Sequence, residues 1–129
     1  MVVPAIPVTS KRRVVVVDDE VLIANALKAI LNHAGFDTHA MFGGQELVDS
    51  LETPRPDVLI IDREMPGVTG GIEAAIITRG KFPNCKILLF SGHANTSGLL
   101  VKAREKGHEF ELFSKPVHLP DLLAKVRSS

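Results

Sequence analysis

Three runs of consecutive apolar residues punctuate the chain: Val14–Val17, Val58–Ile61 and Ile87–Phe90. None of them alternates with polar residues. A strand with one solvated face alternates, whereas a strand covered on both faces is apolar throughout, so these runs predict central strands of a parallel sheet. Two more mixed stretches, Asp37 to Met41 and Glu109 to Phe113, suit edge positions.

Between the runs the period lengthens to that of a helix. From Glu20 to Ala34 the polar residues Asn25, Lys28 and Asn32 lie on one side, and Ile23, Ala26, Leu27, Ile30 and Ala34 form the opposite stripe. Gly35 follows where a left-handed residue closes a helix. Leu47, Val48 and Leu51 mark a second helix that ends at Pro54 and Pro56, and Ile72, Ala75, Ile76 and Arg79 a third, with Gly80 after it. Leu99, Leu100 and Ala103 mark a fourth, with Asn95 or Thr96 as its cap and Gly107 at its end. A fifth begins near Pro120 and runs through Leu122, Leu123 and Val126. Strand and helix thus alternate five times. That order implies an α/β fold, with helices on both faces of a parallel sheet and right-handed crossovers. No internal repeat or low-complexity tract interrupts it.

The 129 residues suit one domain that buries its own core. Pro4 and Pro7 set residues 1–10 apart as an extended, poorly ordered lead-in, leaving 11–129 as the folded domain. Apolar residues make up 45% and charged residues 23%, which argues against disorder. The 15 basic and 15 acidic side chains cancel, so the chain has no cationic surplus for direct nucleic-acid binding. Cys85 is the single cysteine, which excludes an internal disulfide, fits a reducing cytoplasm and reads as a small core residue. No apolar stretch approaches the ~18 residues of a membrane span, and the first residues lack the pattern of a signal peptide. A soluble cytoplasmic domain with no membrane partner is expected.

In open α/β sheets, ligands sit at the carboxyl ends of the strands, near the point where strand order reverses. The first strand ends in Asp18, Asp19 and Glu20, the third in Asp62 and the fourth in Ser91, while the fifth is followed by Lys115 and Pro116. Taken singly, each has an ordinary reading: an Asp after a strand caps the next helix, and a Ser or Lys in a turn is solvated. Together they form a carboxylate cluster with one Lys, whose charges repel unless a cation sits among them. Oxygen donors favour a hard dication, Mg²⁺ above others, and the lack of His and Cys ligand pairs disfavours zinc. His33, His39, His93, His108 and His118 show no ligand spacing.

The segments VVVVDDE, VLIIDREMPGVTGG, ILLFSGHA and FSKPV, in this order, resemble the receiver domain family of response regulators, over nearly the whole chain from about Arg12. The resemblance implies a flavodoxin-like doubly wound (βα)5 fold with strand order 2-1-3-4-5. It implies Asp62 as the phosphoacceptor, Asp19 and Asp18 as Mg²⁺ ligands with Asp62 and the backbone carbonyl of Glu64, and Lys115 as the cation that meets the phosphoryl group. Ser91 matches the hydroxyl that binds a phosphoryl oxygen, and the Lys115–Pro116 bond is expected to be cis at Pro116. Met65, Pro66 and Gly67 would shape the loop after Asp62. The implied partners are a sensor histidine kinase or phosphotransfer protein upstream, and a downstream protein target or an output domain on another chain.

The chain also departs from the family. Where most members carry Tyr or Phe three residues before the Lys, it has Leu112. Phe110 and Phe113 flank that position, so the switch role falls to either or is lost, and Phe113 has a core reading besides. Glu64 reads as a solvated residue, a resting-state partner of Lys115 or a group that acts on the hydrolytic water. Two other functions compete with a phosphorylated receiver. One is an adaptor that binds partners without phosphorylation; the other is a Mg²⁺-dependent phosphatase, which would want a second Asp at position 64. A phosphorylation-dependent dimer through the fourth and fifth helices stays open.

Overall fold

The computed structural model describes residues 11–50, 55–62, 70–91, 110–115 and 118–128. In chain order the elements are β1 (Arg13–Val17), α1 (Val21–His33), β2 (Asp37–Met41), α2 (Gly44–Asp49), β3 (Val58–Asp62), α3 (Gly71–Lys81), β4 (Lys86–Ser91), β5 (Glu111–Ser114) and α4 (Leu119–Arg127). The helix expected around Leu99 and its caps lie outside the described residues, as does the lead-in; α4 is therefore the fifth helix of the sequence reading.

All four strand pairings are parallel, and the order is β2-β1-β3-β4-β5. The three continuous apolar runs occupy the centre and the two mixed stretches the edges, as expected. Period-2 alternation sends successive side chains to opposite faces. Val15, Val17, Leu59, Ile61, Ile87 and Leu89 pack with Leu47 of α2 and Ala74 and Ala75 of α3. Val14, Val16, Val58, Ile60, Leu88 and Phe90 pack with Ala24, Leu27 and Leu31 of α1 and Leu122 and Val126 of α4. Every residue of β3 is buried, which is why the run had to be apolar on both sides. Cys85 lies in the first of these cores, and burial pushes its thiol up to about 11. Among the described residues no helix is long and apolar enough to cross a membrane.

Two expectations need correction. The buried stripe of α1 is Ala24, Leu27 and Leu31, while Ile23 and Ala26 are exposed. The stripe is turned toward Ala24, whose single methyl lets the helix lie close to the sheet. Gly80 does not follow α3 but sits inside it; the helix runs on to Lys81 and the Phe82 N–H still donates to the Thr78 carbonyl at 2.8 Å. Phe82 then turns out of the helical region (φ −125°, ψ 83°), because a residue before a proline, here Pro83, is pushed toward extended backbone.

Gly35 fulfils its role: it alone among the described residues has positive φ, 102°, and its N–H donates to the Asn32 carbonyl at 3.1 Å. A Cβ there would meet nothing within 4 Å, so the strain of Gly35→Ala is purely conformational. We expect a loss of about 1–2 kcal/mol, seen as a lower denaturation midpoint at unchanged slope.

Candidate functional site

Register explains how distant residues meet. Val17 pairs with Ile61 and Asp62 with Phe90, so Asp18, Asp62 and Ser91 leave three neighbouring strands at nearly one level. The Lys115 N–H donates to the Ser91 carbonyl at 3.1 Å, which brings the end of β5 to the same rim. Asp18, Asp19 and Asp62 each offer a carboxylate oxygen, and these lie within 4.8 Å of one another. Lys115 Nζ stands 3.0 Å from Asp62 Oδ1. Asp62, Asp18 and Ser91 are only 3%, 4% and 4% exposed, while Asp19 opens to solvent.

Two buried carboxylates this close are costly. Asp18 shows the cost: its carboxyl is pushed up to about 6 by burial, against the pull of the Glu20 N–H that Oδ1 accepts at 2.9 Å. The charge of Asp62 adds to the rise and that of Lys115 opposes it. Among the described residues, three acidic groups and the Lys115 ammonium form an oxygen-donor set short of positive charge, which fits a hard dication such as Mg²⁺. Asp18 does not cap α1 through its side chain in the usual way; the N-cap position is Glu20, which makes no side-chain cap bond.

Because the folded state raises the Asp18 carboxyl from 3.8 to about 6, it binds that proton more tightly than the unfolded chain does. Without divalent cations, stability should therefore fall as pH rises from about 4 to about 6 on this group's account. Asp18→Asn keeps an oxygen for the Glu20 N–H and removes the penalty. At pH 7 the apo variant should gain roughly 1–2 kcal/mol, allowing for screening, and lose Mg²⁺ affinity. Thermal melts with and without Mg²⁺ read both effects.

The switch candidates lie on β5 and just before it. Phe113 stacks on Phe90, with ring centroids 5.3 Å apart, and packs against the core on the α1 and α4 face. Phe110 packs against the opposite core, under the Arg79 guanidinium at 5.5 Å. Leu112 is 41% exposed. Glu64, Met65, Pro66, Gly67, His93 and Pro116 lie outside the described residues.

One feature of the rim escaped the sequence reading. Of the seven exposed large apolar residues among those described, five lie on the side of the sheet where the strands end: Val21, Leu22 and Ile23 open α1, Phe42 follows β2, and Leu119 opens α4. The signal was present in Val21, Leu22 and Ile23. Successive helical residues point about 100° apart, so three large apolar side chains in a row cannot all face one core. Leu22 is 86% exposed.

Comparison with known proteins agrees with this architecture. A solved receiver domain protein of Methanospirillum hungatei JF-1, described as CheY-like, superposes with a TM-score of 0.81 at 24% identity, over 92% of each chain. The chemotaxis protein CheY4 of Vibrio cholerae gives 0.79 at 23% identity, over 92% of this chain and 98% of the other. The receiver domain of Francisella response regulator 1452 gives 0.76 at 28% identity, over 90% and 93%. At the sequence level, the family model described as "Response regulator receiver domain" matches residues 14–127, which take in the described strands and helices apart from Arg13, the first residue of β1. The chain thus belongs to the response regulator receiver domain family, the phosphoacceptor modules of two-component signalling.

Proposed function

We propose that this receiver accepts a phosphoryl group on Asp62 in a Mg²⁺-dependent reaction and answers by changing a protein-binding surface. The observation that carries the reading is the pairing of a buried Asp62 carboxylate with Lys115 at 3.0 Å, beside Asp18 and Asp19. An Asp62 oxygen attacks phosphorus, the bond to the donor's leaving atom breaks, and the leaving group takes its electron pair and a proton. Phosphoryl transfer asks mainly for positioning and charge neutralisation. Lys115 supplies one positive charge; Asp18, Asp19, Asp62 and the Glu64 carbonyl would hold Mg²⁺, which when bound neutralises charge on the phosphoryl oxygens. The Ser91 hydroxyl, at the end of β4, would take one of those oxygens and draw the chain after it toward the site. Phe110, Leu112 or Phe113 would report the change at the surface, and the Lys115–Pro116 bond would be cis.

The proposed donor is a sensor histidine kinase or a phosphotransfer protein in the cytoplasm. The consecutive exposed Val21, Leu22 and Ile23, which follow Asp18 and Asp19 in the chain, support a protein donor over a small metabolite, since such apolar surface gains by burial against a second protein. A downstream protein, or an output domain on another chain, would receive the signal.

The test is incubation with acetyl phosphate with and without Mg²⁺, read by intact mass. A single added phosphoryl group that requires Mg²⁺ is the expected result. No addition under conditions where Mg²⁺ binding is measurable would overturn the phosphoacceptor reading and leave the adaptor.

A further inference from the structure

Among the described strands β2 forms one edge of the sheet. An edge presents backbone donors and acceptors to any strand that can reach them. Which groups face outward follows from the pairing with β1. The Asp37 N–H donates to the Arg12 carbonyl at 3.0 Å and the Asp18 N–H to the Met41 carbonyl at 3.1 Å, so Asp37, His39 and Met41 turn their backbone toward β1. Thr38, Ala40 and Phe42, which directly follows β2, therefore turn theirs away from it.

Two of these three outward donors are held by side chains. Asn32 Oδ1, near the end of α1, accepts the Thr38 N–H at 2.8 Å, and Glu46 Oε1, in the first turn of α2, accepts the Phe42 N–H at 2.9 Å. Helix capping does not account for Glu46. A Glu at the third position of a helix ordinarily reaches back to the N–H of the N-cap residue, here Gly43, whereas Glu46 passes over it to the strand edge. Stability does not account for it either: Phe42 and Glu46 are both exposed, so water would serve that donor almost as well. We propose that Asn32 and Glu46 are a pair of edge guards, which keep β2 from pairing with the β2 of a second copy of this chain.

The pairing they oppose is self-complementary. Antiparallel about a two-fold axis at Ala40, the edge would set Ala40 against its own counterpart and Thr38 against Phe42 of the other copy. The Thr38 and Phe42 N–H groups would each donate across to the other's carbonyl, and these are the two donors that the guards hold. His39 would stand opposite Met41, with no like charges directly facing, so charge along the strand does not oppose the pairing. The exposed Phe42 adds apolar surface at the end of the edge.

Sedimentation velocity over a concentration series, without phosphodonor, tests the assignment. Asn32→Ala with Glu46→Ala should raise the self-association constant at least about tenfold over wild type while the circular dichroism spectrum stays native. Asn32→Asp with Glu46→Gln keeps both acceptors and the net charge, and should behave as wild type. Adding Ala40→Pro to the alanine pair removes the central N–H of the edge and should abolish the gain, since proline is tolerated on an edge strand but cannot donate from it. Glu46→Ala alone leaves the turn between α1 and β2 intact and should show a smaller rise, which answers the question if loss of Asn32 unsettles that turn. No rise in whichever of these alanine variants keeps its fold, an equal rise in the pair that keeps the acceptors, or a gain that survives Ala40→Pro would each overturn it. None of these outcomes depends on whether Asp62 is phosphorylated.

Discussion

Asp62→Asn is expected to leave no detectable phosphoryl label from acetyl phosphate, a drop of at least about 10²-fold if the carboxylate is the sole nucleophile. The amide keeps the size of the side chain but is not nucleophilic. Neither neighbour is set to replace it. Asp18 carries a carboxyl raised to about 6 and is engaged by the Glu20 N–H, while Asp19 opens to solvent. The variant should fold, since Asp62→Asn removes one of two buried like charges even as it gives up the Lys115 ion pair. It should also lose most of the rise in melting temperature that Mg²⁺ gives the wild type, because one of three ligand oxygens becomes a weaker, neutral donor. Label retained at wild-type level in Asp62→Asn would place the acceptor elsewhere.

Lys115→Met should separate two roles that Asp62→Asn removes together. The Met side chain keeps much of the Lys stem but has no charge, so nothing offsets the approach of a phosphoryl group except the metal ion. Labelling should slow by about 10²-fold, the usual cost of one lost electrostatic contact in a transition state. Mg²⁺ should bind more tightly, because the ammonium that repels it is gone. Stability without Mg²⁺ should fall by about 2 kcal/mol, below the cost of breaking a fully buried pair because Lys115 itself is 25% exposed. Opposite signs for labelling and Mg²⁺ affinity are the diagnostic result. A parallel loss of both would mean that Lys115 acts by holding the pocket together.

The start of α1 was only partly legible in the sequence. Val21 and Ile23 were legible as helical and apolar, and Ile23 was assigned to the core, yet both are exposed beside Asp19. A stripe defined by period tolerates rotation of the helix about its axis. What chooses the rotation is the fit against the sheet, and here the small Ala24 decides it. Gly80 misled for a related reason: a glycine ends a helix only where the chain needs a left-handed residue, and Pro83 supplied the stop without one.

The strands were the most legible part. An unbroken run such as Val58–Ile61 can be stable only with cover on both faces, and that requirement is local, so strand type and the central or edge position of each strand could be read residue by residue. The placement of Asp18, Asp19, Asp62, Ser91 and Lys115 at or just past the strand ends was likewise legible in residue order. Tertiary structure alone decided the rest: the register that sets Asp62 3.0 Å from Lys115, the raised Asp18 carboxyl and the exposure of Leu22. These depend on distances and solvent access between segments far apart in the chain, which packing fixes and no local pattern encodes.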